Sequence, residues 1–340
     1  MAYHNKKSHD FEIVKSISLR QVDPWAIMMF RETGHMTVSL PEFLFDIDFP
    51  GHYCRRIASV SLTIPCVVGP YTSLNCTLRL TQHRYRVNSY LGPGYLENGL
   101  DDTRFRDDNI PISAVAIGSP TAGSFSLDFA RDRYSPFEGA GVISTWQIDL
   151  PPKFRQFDYR TISDVVLQLR YTALDGGLRF AGEASKAVQE KIGKPPQSSQ
   201  ALLSMLINVP SDYATSWYSF RLDLENGRAG TLHMPGMAAL LPFWTQQLKI
   251  MVDSISVIFV PPPTDDNSAL EKMKIAEYPQ VKWTPTRGFG DDSSVDDCTI
   301  LKSDKMSKDM SQDWTISIPN DGGVKLVLGA VWILVYYYAG

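Results

Sequence analysis

A two-residue alternation of apolar and polar side chains recurs along this chain, and it confines most of the fold to half-buried antiparallel sheet. Within residues 56–64, Val60, Leu62 and Ile64 point one way and Ser59, Ser61 and Thr63 the other. Gly69-Pro70-Tyr71 breaks the run, after which Leu74, Cys76, Leu78 and Leu80 alternate with Asn75, Thr77 and Arg79. The two runs read as a hairpin in which Ile64 faces Leu78 and Cys66 faces Cys76, with Pro65 able to shift the register by one residue. The same period groups Phe125 with Leu127 and Phe129, Trp146 with Ile148 and Leu150, and Val165 with Leu167, Leu169 and Tyr171. Shorter strand candidates lie at 11–19, 36–40, 217–224, 250–260 and 314–318. The apolar run 324–338 reads as one or two buried strands, because fifteen residues fall short of a membrane-spanning helix.

Helical signals are fewer. Asp23 can accept from a free backbone N–H, Pro24 suits the first helical position, and Gly34 supplies a left-handed stop after Trp25, Ile27, Met28 and Phe30. Residues 178–192 place Ala184, Val188 and Ile192 on one stripe, and Lys194-Pro195-Pro196 ends that helix. Residues 198–207 read as a second short helix. Polar stretches at 92–108 and 261–312 read as exposed loops. No fixed-period repeat is present, which disfavours a propeller or solenoid. The expected fold is mostly β, a large antiparallel β-sandwich with a few short helices. It is expected to form one domain over 1–340, with a possible sub-division near 178–200 between a half at 1–177 and C-terminal strands at 201–340.

The 340 residues carry 44% hydrophobic and 21% charged side chains, enough for a sizeable core. A net charge of −4 supplies no basic field for nucleic acid. Cys54, Cys66, Cys76 and Cys298 form no CxxC pair, so a zinc ribbon or redox pair is not expected. Buried free thiols are the expectation, although Cys66 and Cys76 flank an apparent turn. Residues 1–10 are polar and show no signal peptide.

Catalytic signatures are missing: there is no phosphate-cradling loop, no nucleophile elbow and no zinc helix. Asp46, Asp48 and His52 lie close enough in sequence to bind a metal or share a proton. The plainer expectation is a structured loop in which they satisfy backbone groups or pair with Arg55 and Arg56. Arg131 and Arg133 could grip an acidic ligand, but pairing with Asp132 or Glu138 to order a loop is expected. Seven tryptophans and fifteen tyrosines raise a sugar or partner surface. Trp146, Trp217 and Trp314 fall in phase with core positions, however. The sequon Asn75-Cys76-Thr77 sits in a predicted strand and is read as chance. No catalytic, cofactor or metal residue is therefore assigned.

Several stretches together resemble the C-terminal TcB-binding domain of the A component of Tc (ABC) insecticidal toxin complexes. They are Leu40-Pro41-Glu42-Phe43-Leu44-Phe45-Asp46, Phe49-Pro50-Gly51-His52-Tyr53-Cys54-Arg55-Arg56-Ile57, the alternating segment 59–80, Pro136-Phe137-Glu138-Gly139-Ala140-Gly141, and Arg155-Gln156-Phe157-Asp158-Tyr159 leading into 161–167. The likeness follows family order over residues 11–177. Beyond Gly177 it rests on 217–220 and Leu241-Pro242-Phe243-Trp244, which look like longer members. The resemblance implies a non-catalytic β-sandwich that docks the TcB–TcC cocoon. It also implies a homopentameric, pore-forming A component, secreted or extracellular, through which the cocoon's toxic enzyme is translocated, and no direct membrane insertion by this segment. Partner contact is expected in loops outside these motifs, at 88–108 or 261–312. A carbohydrate-binding β-sandwich, the alternative, would need a solvent-exposed aromatic cluster. A hydrolase would need Asp46, Asp48 and His52 to converge in a cleft.

Overall fold

The alternating runs become strands, and every strand pair among the described residues is antiparallel. The computed structural model describes residues 10–340 apart from 70–71, 93, 97–101, 119, 122–123, 130–134, 152–154, 194–202, 247, 261–267, 288–297, 321–322 and 324. Packing divides the chain into two compact units, Met1–Ile192 and Gly193–Gly340.

The first unit runs β1 (Phe11–Ser18), α1 (Leu19–Val22), α2 (Pro24–Thr33), β2 (His35–Leu40), α3 (Phe43–Asp46), β3 (His52–Pro65), β4 (Leu74–Arg86), β5 (Phe105–Asp108), β6 (Ile112–Gly118), β7 (Pro120–Thr121), β8 (Ser124–Asp128), β9 (Ile143–Asp149), β10 (Val166–Asp175) and α4 (Leu178–Ile192). One sheet has the order β1-β10-β3-β8-β7 and the other β2-β9-β4-β5, with β6 also paired to β4. Leu62, Leu127 and Leu167 from the first sheet and Leu78, Trp146 and Ile148 from the second share one buried core, which makes this unit a β-sandwich.

The expected hairpin between residues 59 and 80 does not form. β3 pairs with β10 and β8, whereas β4 pairs with β9, β5 and β6. The chain crosses from one sheet to the other between Pro65 and Leu74, so both apolar faces look inward from opposite layers. Alternation fixes which face is buried, not which strand lies alongside. Cys76 accordingly pairs across to Ala116, and Cys66 and Cys76 are separate buried free thiols.

Asp23 caps α2 as expected: its Oδ1 accepts from the Ala26 N–H at 3.0 Å, and Gly34 closes the helix at φ 79° with its N–H on the Phe30 carbonyl. Two other glycines allow close approach. A Cβ on Gly141 would lie 2.1 Å from the Arg84 carbonyl oxygen. A Cβ on Gly51, at φ 98°, would lie 2.5 Å from the Ala181 Cβ in α4. Gly139, Ala140 and Val142 exchange backbone hydrogen bonds with Arg55 and Ile57 of β3, while Gly141 donates to His83 Nδ1 on β4. The segment is thereby tied to both sheets.

The second unit runs β11 (Ser204–Asn208), α5 (Val209–Asp212), α6 (Ala214–Glu225), β12 (Gly230–Met234), β13 (Ile250–Val260), α7 (Ser268–Glu271), β14 (Lys274–Ile275), β15 (Trp283–Arg287), β16 (Thr299–Ser303), β17 (Lys308–Asp309), β18 (Trp314–Ile318) and β19 (Ala330–Ala339). One sheet follows β11-β19-β13-β16-β15 with β17 on β13, and a smaller one follows β12-β18-β14. The apolar C-terminal run gives β19, buried and paired on both sides.

Four expectations are corrected here. Residues 217–224 belong to helix α6, where Trp217, Phe220 and Leu224 are buried at a helical spacing that their aromatic and branched character disguised. Ser204–Asn208, placed in a helix by sequence, is a strand whose Ser204 to Ile207 are all buried, so no alternation shows. The remainder of that expected helix, at 198–202, lies outside the described residues. The polar stretch 261–312 is not all loop, since it contributes β14 to β17 and α7. At 92–108, the last four residues form β5.

Candidate docking loop and its buried anchor

Loop 87–104 leaves the end of β4 and returns as β5. Its neck is closed by the Val87 N–H on the Arg104 carbonyl at 2.7 Å and by the Arg86–Phe105 pairing. Inside the loop, the Arg104 guanidinium donates to the carbonyls of Leu91, Gly94 and Leu96 and to the Asp102 carboxylate. One side chain thus accounts for three main-chain acceptors.

A second guanidinium holds the loop to the sandwich. Arg86, only 1% exposed, donates to both Glu42 oxygens at 3.2 and 3.3 Å and to the Tyr95 carbonyl at 2.8 Å. Its flat face lies 4.4 Å from the Phe105 ring centre, 4.8 Å from Tyr95 and 5.3 Å from Phe180 of α4. Tyr95 Oη donates to Asp46 Oδ2 at 2.7 Å, and Asp46 Oδ1 accepts from Arg55 Nη2 at 2.7 Å. Burial raises the Glu42 carboxyl above its usual range and Asp46 adds to the rise, while Arg86 and Arg55 oppose it. Burial likewise raises the Tyr95 phenol, reinforced by Glu42 and Asp46. The buried Asp46, Arg55 and Arg86 and the half-buried Glu42 form a compact network that joins α3, β3, β4 and the described part of the loop.

The Asp46, Asp48 and His52 side chains do not converge. Asp46 belongs to this anchor, and Asp48 pairs with Lys15 on β1. The His52 ring is stacked between Phe11 and Phe49, with centres 5.0 and 5.4 Å away. Burial holds its ionisation below the usual histidine range, with Arg55 adding to the effect. Among the described residues, no three His, Cys, Asp or Glu side chains are grouped to hold a metal. Of the two arginines expected to pair with the aspartates, Arg55 does so. Arg56 instead donates to the Gly139 carbonyl and lies over Tyr85. Arg131 and Arg133 lie outside the described residues. Trp146, Trp217 and Trp314 are buried and supply no exposed aromatic platform.

Among the described loop residues, Val87, Tyr90 and Leu96 are exposed large hydrophobic side chains. Tyr90 is 71% exposed and Leu96 64%. Sequence reasoning placed the loop but missed Glu42, Arg86, Tyr95, Arg104 and Phe180 as its supports. They are scattered from α3 to α4, and a lone arginine closing an alternating strand carries no local signature.

A family model described as the Tc toxin complex TcA C-terminal TcB-binding domain matches residues 1–173. Toxin subunit YenA2 of Yersinia entomophaga is 30% identical over 191 residues, which cover 53% of this chain and 14% of that one. The chain therefore spans a small part of that relative. The solved TcaA–TcaB of Yersinia pseudotuberculosis superposes with a TM-score of 0.32 at 20% identity, covering 51% of this chain and 10% of that one. TcdA4 of Morganella morganii gives 0.29 at 17% identity, covering 51% and 8%. Superpositions this loose fix no detail of geometry.

Proposed function

Because this chain belongs to the family of Tc toxin complex TcA C-terminal TcB-binding domains, we propose that it is a non-catalytic docking module by which a Tc-type A component holds its TcB–TcC cocoon. Both units are assigned to one TcB-binding-like module over 1–340, with the division inside 178–200. Docking is placed on the first unit, which carries the family match. In a longer A component the module stands in a secreted homopentamer, and the cocoon's toxic enzyme leaves through the pore.

The observation that carries the reading is the 87–104 loop. Its described part offers the exposed Tyr90 and Leu96 side chains, and two buried arginines hold the carbonyls of Leu91, Gly94, Tyr95 and Leu96. A partner meeting these held residues need not first order them, which removes a cost that unheld segments bear. An exposed tyrosine beside an apolar side chain suits a protein partner, and Trp146, Trp217 and Trp314 are buried and offer no sugar platform.

A pull-down with the TcB–TcC cocoon encoded beside this chain tests the assignment. The folded chain is expected to retain the cocoon, and failure to do so counts against docking. Within the complex, Tyr90→Ala and Leu96→Ala are each expected to weaken binding about tenfold, close to 1.4 kcal/mol, without changing the melting temperature. Wild-type affinity in both variants moves the contact away from this loop.

A further inference from the structure

We infer that Phe180 on α4 is a positioning residue for the docking loop, so that α4 acts as a strap over the loop's base although it lies beyond the family match at 1–173. The binding arm of this inference rests on the docking reading above.

Three observations converge on Phe180. It is buried in a small cluster of its own with Tyr95 and Ala184, flanked by Tyr53, Leu91 and Ala187, apart from the main sandwich core. Its ring lies 5.2 Å from Tyr95 and 6.1 Å from Tyr53, and the Arg86 guanidinium stands over it. Two members of that cluster, Leu91 and Tyr95, are loop residues whose carbonyls accept from Arg104 and Arg86. The loop's apolar underside therefore packs against the helix, and its polar main chain is held by the arginines.

The helix is itself fixed in place. The Gly176 N–H donates to the Gly51 carbonyl at 2.9 Å, and Gly51 admits Ala181 at a distance that no side chain at 51 would permit. At the other end Lys191 lies over the Phe43 ring of α3. The strap is thus seated on residues of the family motifs, Phe43 and Gly51, while its own sequence lies outside them.

Removing the ring should loosen the loop without unfolding the sandwich, because the main core has no share in this cluster. Hydrogen exchange on the full chain tests this with Phe180→Ala, the milder Phe180→Leu, and Phe180→Tyr as the conservative rescue. In Phe180→Ala the amides of Val87, Gly94 and Phe105 are expected to exchange about tenfold faster, with β3 and β10 unchanged. Phe180→Leu should fall between, and Phe180→Tyr should stay near wild type. Cocoon association should slow about threefold in Phe180→Ala and recover in Phe180→Tyr.

Unchanged exchange at the three loop amides in Phe180→Ala overturns the inference. So does a Phe180→Leu variant that exposes β3 and β10 as much as the loop, since Phe180 would then support the whole unit. If loop exchange rises while cocoon binding is unaltered, the strap stands and docking through this loop falls. If binding drops with loop exchange unaltered, the strap falls and docking stands.

Discussion

Gly141 and His83 tie the second sheet to the segment that precedes β9. Gly141 lies against the Arg84 carbonyl with no space for a Cβ, and its N–H donates to His83 Nδ1 at 3.1 Å. Gly141→Ala must move backbone against backbone, so a loss of about 3 kcal/mol is expected, read from urea unfolding of the variant against wild type. The bond to His83 requires an unprotonated Nδ1. Burial holds the His83 ionisation below its ordinary, unfolded value, Asp108 opposes that shift, and Arg56 adds to it. As pH falls below that unfolded value, the unfolded chain takes up a proton before the folded chain does. The contribution of His83 to stability is therefore full above the unfolded value and is lost as pH falls through the folded one. His52, also lowered mainly by burial, works in the same direction. His83→Gln is expected to flatten the loss of stability between pH 7 and pH 5, measured by urea unfolding at each pH. An unchanged slope would remove His83 from the account.

At the scale of elements, what could be read from sequence divides by how local the cause is. Helix α2 was legible because its start at Asp23-Pro24 and its stop at Gly34 each act through neighbouring residues. The faces of β3, β4, β9 and β10 were legible because period two is a property of one strand. The partnership of β3 with β10 rather than β4 was not, since it is decided by residues a hundred positions apart. Helix α6 was hidden because Trp217, Tyr218 and Phe220 suit strands by propensity while their burial follows a helical period. The buried network was hidden for a different reason. Glu42, Arg55, Arg86 and Tyr95 become neighbours only when α3, β3, β4 and the loop assemble, and each alone reads as an ordinary surface residue. A motif search rewards side chains close in sequence, which is why it singled out Asp46, Asp48 and His52 and found three separate structural roles.

For the whole molecule, the boundary of the first unit differs from the boundary of the family match. The match ends at residue 173, but compact packing continues through α4 to Ile192. Residues 1–173 alone would expose Tyr53, Tyr95 and the face of Arg86 that α4 covers. A 1–192 fragment is therefore expected to unfold cooperatively. A 1–173 fragment should melt at a lower temperature and bind a hydrophobic dye at its loop base, with calorimetry and dye fluorescence as the measurements. Equal melting temperatures would mean that α4 adds nothing to the unit.

The Arg104 clasp has a consequence for how such a loop can diversify. Its donors meet the main-chain oxygens of residues 91, 94 and 96 and the carboxylate of Asp102, and they read nothing of the side chains at 90 and 96. The main chain at 91, 94 and 96 is thereby held by contacts that do not involve the outward side chains, which are left as an interchangeable vocabulary. If the loop docks a partner as proposed, a library varying only positions 90 and 96 would change what it recognises while leaving the Arg104 contacts at 91, 94 and 96 in place.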